Sequence, residues 1–197
     1  MGDSIIRNAG DDIPQIPGGG ICLWSGLSGA RLYNLNARLR RLLIRDRNEY
    51  PSTIVIHLGS NDILKSSTTD IRARVRESLL TIRNLLPNVR IIWSDILPRL
   101  AYSEERVPGA GRRSTVNINK YAHQVCRSQL GGNAHVIKHS RVFNPRLRNV
   151  EGRGPLFRYD CVHLTDTGNI LFRQTLGEAL SFFNASPDVF AFPSNRA

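Results

Sequence analysis

Apolar runs of strand length alternate along the chain with stretches in which leucine, isoleucine and valine return every three or four residues. That alternation predicts a parallel sheet with helices on both faces. "GICLW" (20–24) is the first strand candidate, and Leu32, Leu35, Leu39, Leu42 and Leu43 mark an amphipathic helix over about 29–47. "STIVIHLG" (52–59) reads as a central strand, because Ile54, Val55 and Ile56 leave no polar face. A helix over about 68–86 follows, burying Ile71, Val75, Leu79, Ile82 and Leu86. "VRIIWSDIL" (89–97) is the next strand, ended by Pro98, which cannot donate to a ladder.

The segment "AYSEERVPGAGRR" (101–113) carries the acids, Pro and Gly of an exposed loop, and reads equally as a lid or as a plain linker. A helix over about 114–130 leads to a short strand at "AHVIKHS" (134–140) and an irregular stretch rich in Arg and Pro. A last helix covers about 165–183, and Pro187 and Pro193 make 184–197 a frayed tail. The expected organisation is one domain over 1–183 and a C-terminal tail over 184–197. A doubly wound sheet built this way lacks one strand at its N-terminal end.

Composition narrows the class. At 197 residues the chain can bury a core without covalent staples. Cys22, Cys126 and Cys161 are odd in number and lack CxxC spacing, which argues against a disulfide framework or a zinc site and for a reducing compartment. No apolar run approaches the ~20 residues of a membrane helix, and residues 1–20 do not read as a signal peptide, so the expectation is a soluble intracellular protein, cytoplasmic or nuclear, without membrane contact.

The net charge is +11, and of 27 basic residues only Lys65, Lys120 and Lys138 are lysine. Arginine suits bidentate contact with phosphate or carboxylate, so a weak nucleic-acid or other polyanion contact through the Arg-rich helices is one reading. The plainer one has Arg38, Arg40, Arg41, Arg45 and Arg47, then Arg72, Arg74, Arg76 and Arg83, lining solvated helix faces, since no aromatics interleave with them.

The chemistry lies in short polar turns. Serine becomes a nucleophile when a base takes its proton, and a histidine base needs a carboxylate to orient it. Ser4 stands in "GDS", and Asp160 and His163 stand three residues apart in "YDCVHLTDTGN". Acyl transfer also needs donors aimed at the oxyanion that develops. "GLSGAR" (26–31) offers the Gly29 backbone N–H, and "GSND" (59–62) offers the Asn61 amide. All these turns follow predicted strands, at the ends where open α/β sheets carry their sites.

In this order the four stretches, Gly2 to Ser4, Gly29, Gly59 to Asp62, and Asp160 to His163, resemble the four blocks of the SGNH hydrolases, also called GDSL-type esterases. The resemblance implies a three-layer, flavodoxin-like α/β/α domain. It implies that Ser4 is the nucleophile and lends its N–H to an oxyanion hole completed by Gly29 and Asn61. It further implies that His163 is the base and then the acid, that Asp160 orients it, and that no metal or organic cofactor takes part. The substrate would be an ester, of a short acyl group or another. "VHLTDTGNILF" also resembles hydrolase-like domains encoded in mobile genetic elements.

The family carries a buried strand directly before Gly-Asp-Ser, and here only Met1 precedes it. The expectation is therefore a chain that starts late, with Ser4 on a fraying end and one edge of the central strand exposed. Each residue also has a plainer reading. Asp3 would cap nearby backbone, Asp62 would cap the helix that follows it, His57 would be a core histidine, Trp24 and Trp93 would be strand residues in the core, and Cys161 a small filler. His123, His135 and His139 lack ligand spacing with any Cys or acid, and no metal is assigned to them.

Overall fold

The computed structural model describes residues 1–9, 22–45, 50–102, 105–139 and 156–193. Four strands, Thr53–Ile56 (β1), Arg90–Ser94 (β2), Ala134–Ile137 (β3) and Ala191–Phe192 (β4), lie side by side in that order. All are parallel, with Ile54 opposite Ile91 and Trp93 opposite Val136. The helices are Ser4–Asn8 (α1), Leu35–Arg45 (α2), Thr68–Leu85 (α3), Ala110–Gln129 (α4) and Asp166–Ala185 (α5).

Side chains alternate across a strand, so each strand feeds two cores. Ile54, Ile56, Ile91, Trp93, Ala134 and Val136 point to the layer of α2, α3 and α4. Ile92 and Ile137 point the other way, onto Ile5 and Ile6 of α1 and Phe172, Ala179 and Phe183 of α5. The result is the three-layer α/β/α architecture that the hydrophobic pattern predicts. Trp93, Phe172 and Phe183 are fully buried, and each such side chain contributes on the order of 1.5–3 kcal/mol.

Four boundaries differ from expectation. The helix expected from about 29 begins at Leu35, after a 3-10 turn over Leu32–Asn34. The strand expected at 20–24 is absent from its described part: Cys22 to Trp24 join no ladder, and pairing is limited to a parallel bridge between Gly26 and Gly2. Trp24 is accordingly off the sheet and packs half-buried against the α1 and α5 cluster. Helix α4 starts at Ala110, earlier than 114. Gly109 turns the chain at φ +76°, and Glu105 Oε1 accepts from Gly111 N at 2.8 Å, so part of the loop over 101–113 is folded onto the helix start. Residues 103 and 104 lie outside the described residues.

The expected tail is the fourth. Helix α5 continues to Ala185, and the chain then returns to the sheet as β4, with Val136 N donating to Phe190 O at 2.9 Å and Lys138 N to Phe192 O at 2.7 Å. Phe192 packs on Phe182 of α5 at 5.4 Å between ring centroids. Burial of these rings holds residues 186–193 in place despite two prolines, and 194–197 lie outside the described residues.

Met1 and Gly2 pair beside the end of β1, Met1 N donating to Val55 O at 2.7 Å. His57 N donates to Met1 O, Gly2 N to Ser25 O and Leu27 N to Gly2 O, each at 3.0–3.1 Å, so Gly2 bridges in parallel to both His57 and Gly26. The residues just before Ser4 are therefore bonded on one side to the chain leaving β1 and on the other to the segment 25–27, rather than fraying. Among the described residues no helix is long and apolar enough to cross a membrane.

Several arginines have structural partners rather than solvated faces. Arg38 donates to the Gly2 and Ser25 carbonyls, both at 3.2 Å, and Arg83 to the Pro87 and Val89 carbonyls at 2.7 and 2.9 Å. Arg74 lies 3.5 Å from Asp62. Arg40, Arg41, Arg72 and Arg76 are exposed as expected, while Arg47 and the side chain of Arg45 lie outside the described residues.

Candidate active site

The loops at the carboxyl ends of β1 and β2, the turn before α1 and the segment entering α5 are joined to one another by hydrogen bonds. Asp3 caps α1, its Oδ1 accepting from Ile5 N at 3.0 Å. Its Oδ2 accepts from Ser60 Oγ at 2.7 Å, which ties the first turn to the loop after β1. Ser4, the first residue of α1, is 8 % exposed. Its backbone N–H has no acceptor within the helix, as at every helix start.

His163 faces it. The Nε2 atom lies 3.1 Å from Ser4 Oγ, and Nδ1 lies 2.6 Å from Asp160 Oδ2. The carboxylate accepts only, so Nδ1 carries the proton and Nε2 is free to accept from the serine hydroxyl. Asp160 Oδ1 meanwhile accepts from Val162 N and His163 N, both at 2.9 Å. This tight curl requires Cys161 at φ +60°, a left-handed conformation costing ~1–3 kcal/mol that the three hydrogen bonds to Asp160 offset. Desolvation alone would raise the Asp160 pKa, but the His163 N–H, the His163 ring and the Val162 N–H together bring it down to about 2.

The two turns expected to offer donors are locked to each other. Asn61 Nδ2 donates to Ala30 O at 3.1 Å, and Leu32 N donates to Asp62 Oδ2 at 3.0 Å. Asp62 thus holds the 29–32 turn instead of capping α3, whose cap is Ser67. Burial pushes the Asp62 carboxyl up, while Leu32 N–H and Arg74 oppose the rise. Gly29 sits at φ +69° with open space where a side chain would stand, leaving its backbone accessible. One hydrogen of the Asn61 amide goes to Ala30, and the other is uncommitted among the described hydrogen bonds.

Ser4, Asp160 and His163 are therefore brought together in one hydrogen-bonded chain, while Asn61 is tied to Ala30, the residue after Gly29. Beneath them His57 is buried, as a core histidine should be, and bonds through Nδ1 to Ser94 Oγ at 3.1 Å, which lies 2.7 Å from His139 Nε2. Burial lowers the pKa of both histidines. His123 meets buried Asp95 at 2.6 Å, a pairing that no sequence spacing marks. The sequence reading missed Ser60 and Arg99: Arg99 Nη2 donates to Ser60 Oγ at 3.1 Å and to Asn61 Oδ1 at 2.9 Å. The only signal was their proximity to strand ends. A groove of about 630 Å³ beside α3, lined by Arg72, Arg76, Glu77 and Tyr121 among others, contains none of the site residues.

A family model described as GDSL-like lipase/acylhydrolase matches residues 2–174. Among curated protein sequences none matches. Solved structures similar in fold include a GDSL-like lipase from Bacteroides thetaiotaomicron, with TM-score 0.67 and 16% identity over 92% of this chain and 86% of that one. An acetylxylan esterase from Geobacillus stearothermophilus gives 0.65 and 19% over 92% of both chains. A psychrotrophic esterase from Pseudoalteromonas, determined with monoethylphosphonate as inhibitor, gives 0.62 and 17% over 84% of this chain and 79% of that one.

Proposed function

The chain belongs to the GDSL-like lipase/acylhydrolase family, and on that premise we propose that it hydrolyses a carboxylic ester of a short acyl group through an acyl-enzyme on Ser4. The observation that carries this reading is the continuous chain from Ser4 Oγ through His163 to Asp160. The esterases named above support it as relatives in fold.

In this account Ser4 Oγ attacks the ester carbonyl carbon while His163 Nε2 takes its proton. Asp160 stabilises the imidazolium that forms and keeps the ring in place. The carbonyl oxygen becomes an oxyanion, held by the Ser4 and Gly29 N–H groups and the Asn61 amide. The intermediate collapses, the bond to the alcohol oxygen breaks, and His163 returns its proton to that oxygen. Water then attacks the acyl-serine, with His163 again taking a proton and passing it back to Ser4 as the carboxylic acid leaves. Every proton taken is returned, so no cofactor is required. Hydrolysis of an aryl acetate that disappears in Ser4→Ala, with the fold intact, tests the reading.

A second reading concerns the basic surface. Arg72 lies 4.3 Å over the Tyr121 ring and Arg127 lies 4.5 Å over Phe190, so arginine and aromatic side chains do meet in space although they do not interleave in sequence. Together with the net charge of +11, this favours a polyanion-binding role for the α3 and α4 side of the domain, beside or in place of catalysis.

A further inference from the structure

Arg99 follows Pro98 at the end of the segment leaving β2, half-buried between two of the loops that form the site. A guanidinium can only donate. The Asn61 atom that faces Arg99 Nη2 at 2.9 Å must therefore be the oxygen, which turns the amide nitrogen toward Ala30. The same Nη2 reaches Ser60 Oγ, whose own proton goes to Asp3 beside the nucleophile. The next residue completes the brace: Leu100 N donates to Cys161 O at 3.0 Å, inside the turn that carries Asp160 and His163. Arg99 and Leu100 thus contact the loop of the donor amide and the loop of the acid and base, and through Ser60 the turn of the serine.

We propose that Arg99 is a positioning residue that fixes the orientation of the Asn61 amide and, by its positive charge on the amide oxygen, strengthens the N–H as a donor to the oxyanion. The inference rests on the reading of Asn61 as an oxyanion donor. Nothing in it requires Arg99 to touch the substrate. The oxyanion exists only along the reaction path, so the loss belongs in kcat rather than KM.

The test compares wild type, Arg99→Ala, Arg99→Lys, Asn61→Ala and the double variant Arg99→Ala with Asn61→Ala. Each is assayed for kcat and KM on an aryl acetate, and the Asn61 side-chain amide is followed by NMR, assigned by its disappearance in Asn61→Ala. Arg99→Ala is expected to lower kcat about 10- to 100-fold, below the ~10²–10³ of deleting a donor outright, with KM nearly unchanged. Arg99→Lys should recover part of the loss, and the double variant should be no slower than Asn61→Ala, because both changes remove the same interaction. The Asn61 amide protons should shift and exchange faster in Arg99→Ala. An unchanged kcat, an effect confined to KM, or a loss that multiplies in full with that of Asn61→Ala would overturn the proposal, as would an Asn61 amide indifferent to Arg99. If Asn61→Ala itself leaves kcat intact while the amide still responds to Arg99, the oxyanion reading of Asn61 fails, the catalytic part of the proposal fails with it, and Arg99 retains a structural role alone.

Discussion

Ser4 and His163 are separated by 159 residues in the chain, yet Ser4 Oγ and His163 Nε2 lie 3.1 Å apart. Each is held by its own local device. Asp3 caps the helix that begins with Ser4, and Asp160 gathers three donors around the turn that carries His163. Helix α1, which Ser4 begins, and helix α5, which follows His163, pack together on one face of the sheet, which holds the two residues at this distance.

Replacing Asp160 by Asn should keep the turn while removing the charge that stabilises an imidazolium. We expect kcat on an aryl acetate to fall about 10²- to 10⁴-fold with little change in KM. Because Asp160 is held at about 2, any loss of activity between pH 7 and pH 4 must come from another group, and the pH profile of kcat/KM checks this. An Asp160→Asn enzyme of normal kcat would remove the carboxylate from the account.

Gly59 opens the loop after β1 at φ +118°, where an added Cβ would stand 2.9 Å from Ile96 Cδ1. Gly59→Ala should lose about 1–3 kcal/mol in urea unfolding, chiefly from the backbone conformation. Gly132→Ala is the control, since a side chain there meets nothing within 4 Å. Equal unfolding midpoints for the two variants would contradict the strain argument.

Much of this was legible in the chain and some was not. Hydrophobic period located β1, α3, β2 and α5 closely, because long elements with one buried face leave many positions to read. The turns bearing Ser4, Asn61, Asp160 and His163 stood out because they are short polar motifs in the order of the family's four blocks. Arg99 was not singled out, because its place near a strand end carries no sign of which carbonyl or amide it will meet. Strand β4 was hidden for another reason: two residues between prolines show no period, and it is the packing of Phe192 on Phe182 that makes them a strand.

His57 and His139 are buried and their folded pKa values are depressed below the ordinary 6.5, so the unfolded chain binds protons that the folded one refuses. Their contribution is complete above about 6.5 and is lost as the pH falls through and below it, with a slope of up to about 1.4 kcal/mol per pH unit for each proton taken up. Asp62 and Asp95, raised by burial, act in the opposite sense and begin lower, from 3.8 upward. Thermal unfolding should therefore show a midpoint that drops between pH 7 and pH 5, and His139→Asn should flatten that drop. An equal slope in the variant would show that His139 does not titrate on unfolding.

For the basic surface, a fluorescent single-stranded oligonucleotide titrated at several salt concentrations gives the number of phosphates neutralised from the slope of log K against log salt. Binding that weakens with salt and is reduced in Arg72→Ala with Arg76→Ala supports the second reading. No binding at low salt excludes it for this ligand.

The most direct measurement of the central claim is the intact mass of the purified chain after exposure to a fluorophosphonate, beside Ser4→Ala and His163→Ala. The reagent reports an activated serine whatever the natural ester is. A single adduct that requires Ser4 and forms far more slowly in His163→Ala is the result expected of this site. A folded protein that gains no adduct, or gains it equally in Ser4→Ala, would contradict the claim that Ser4 is the nucleophile.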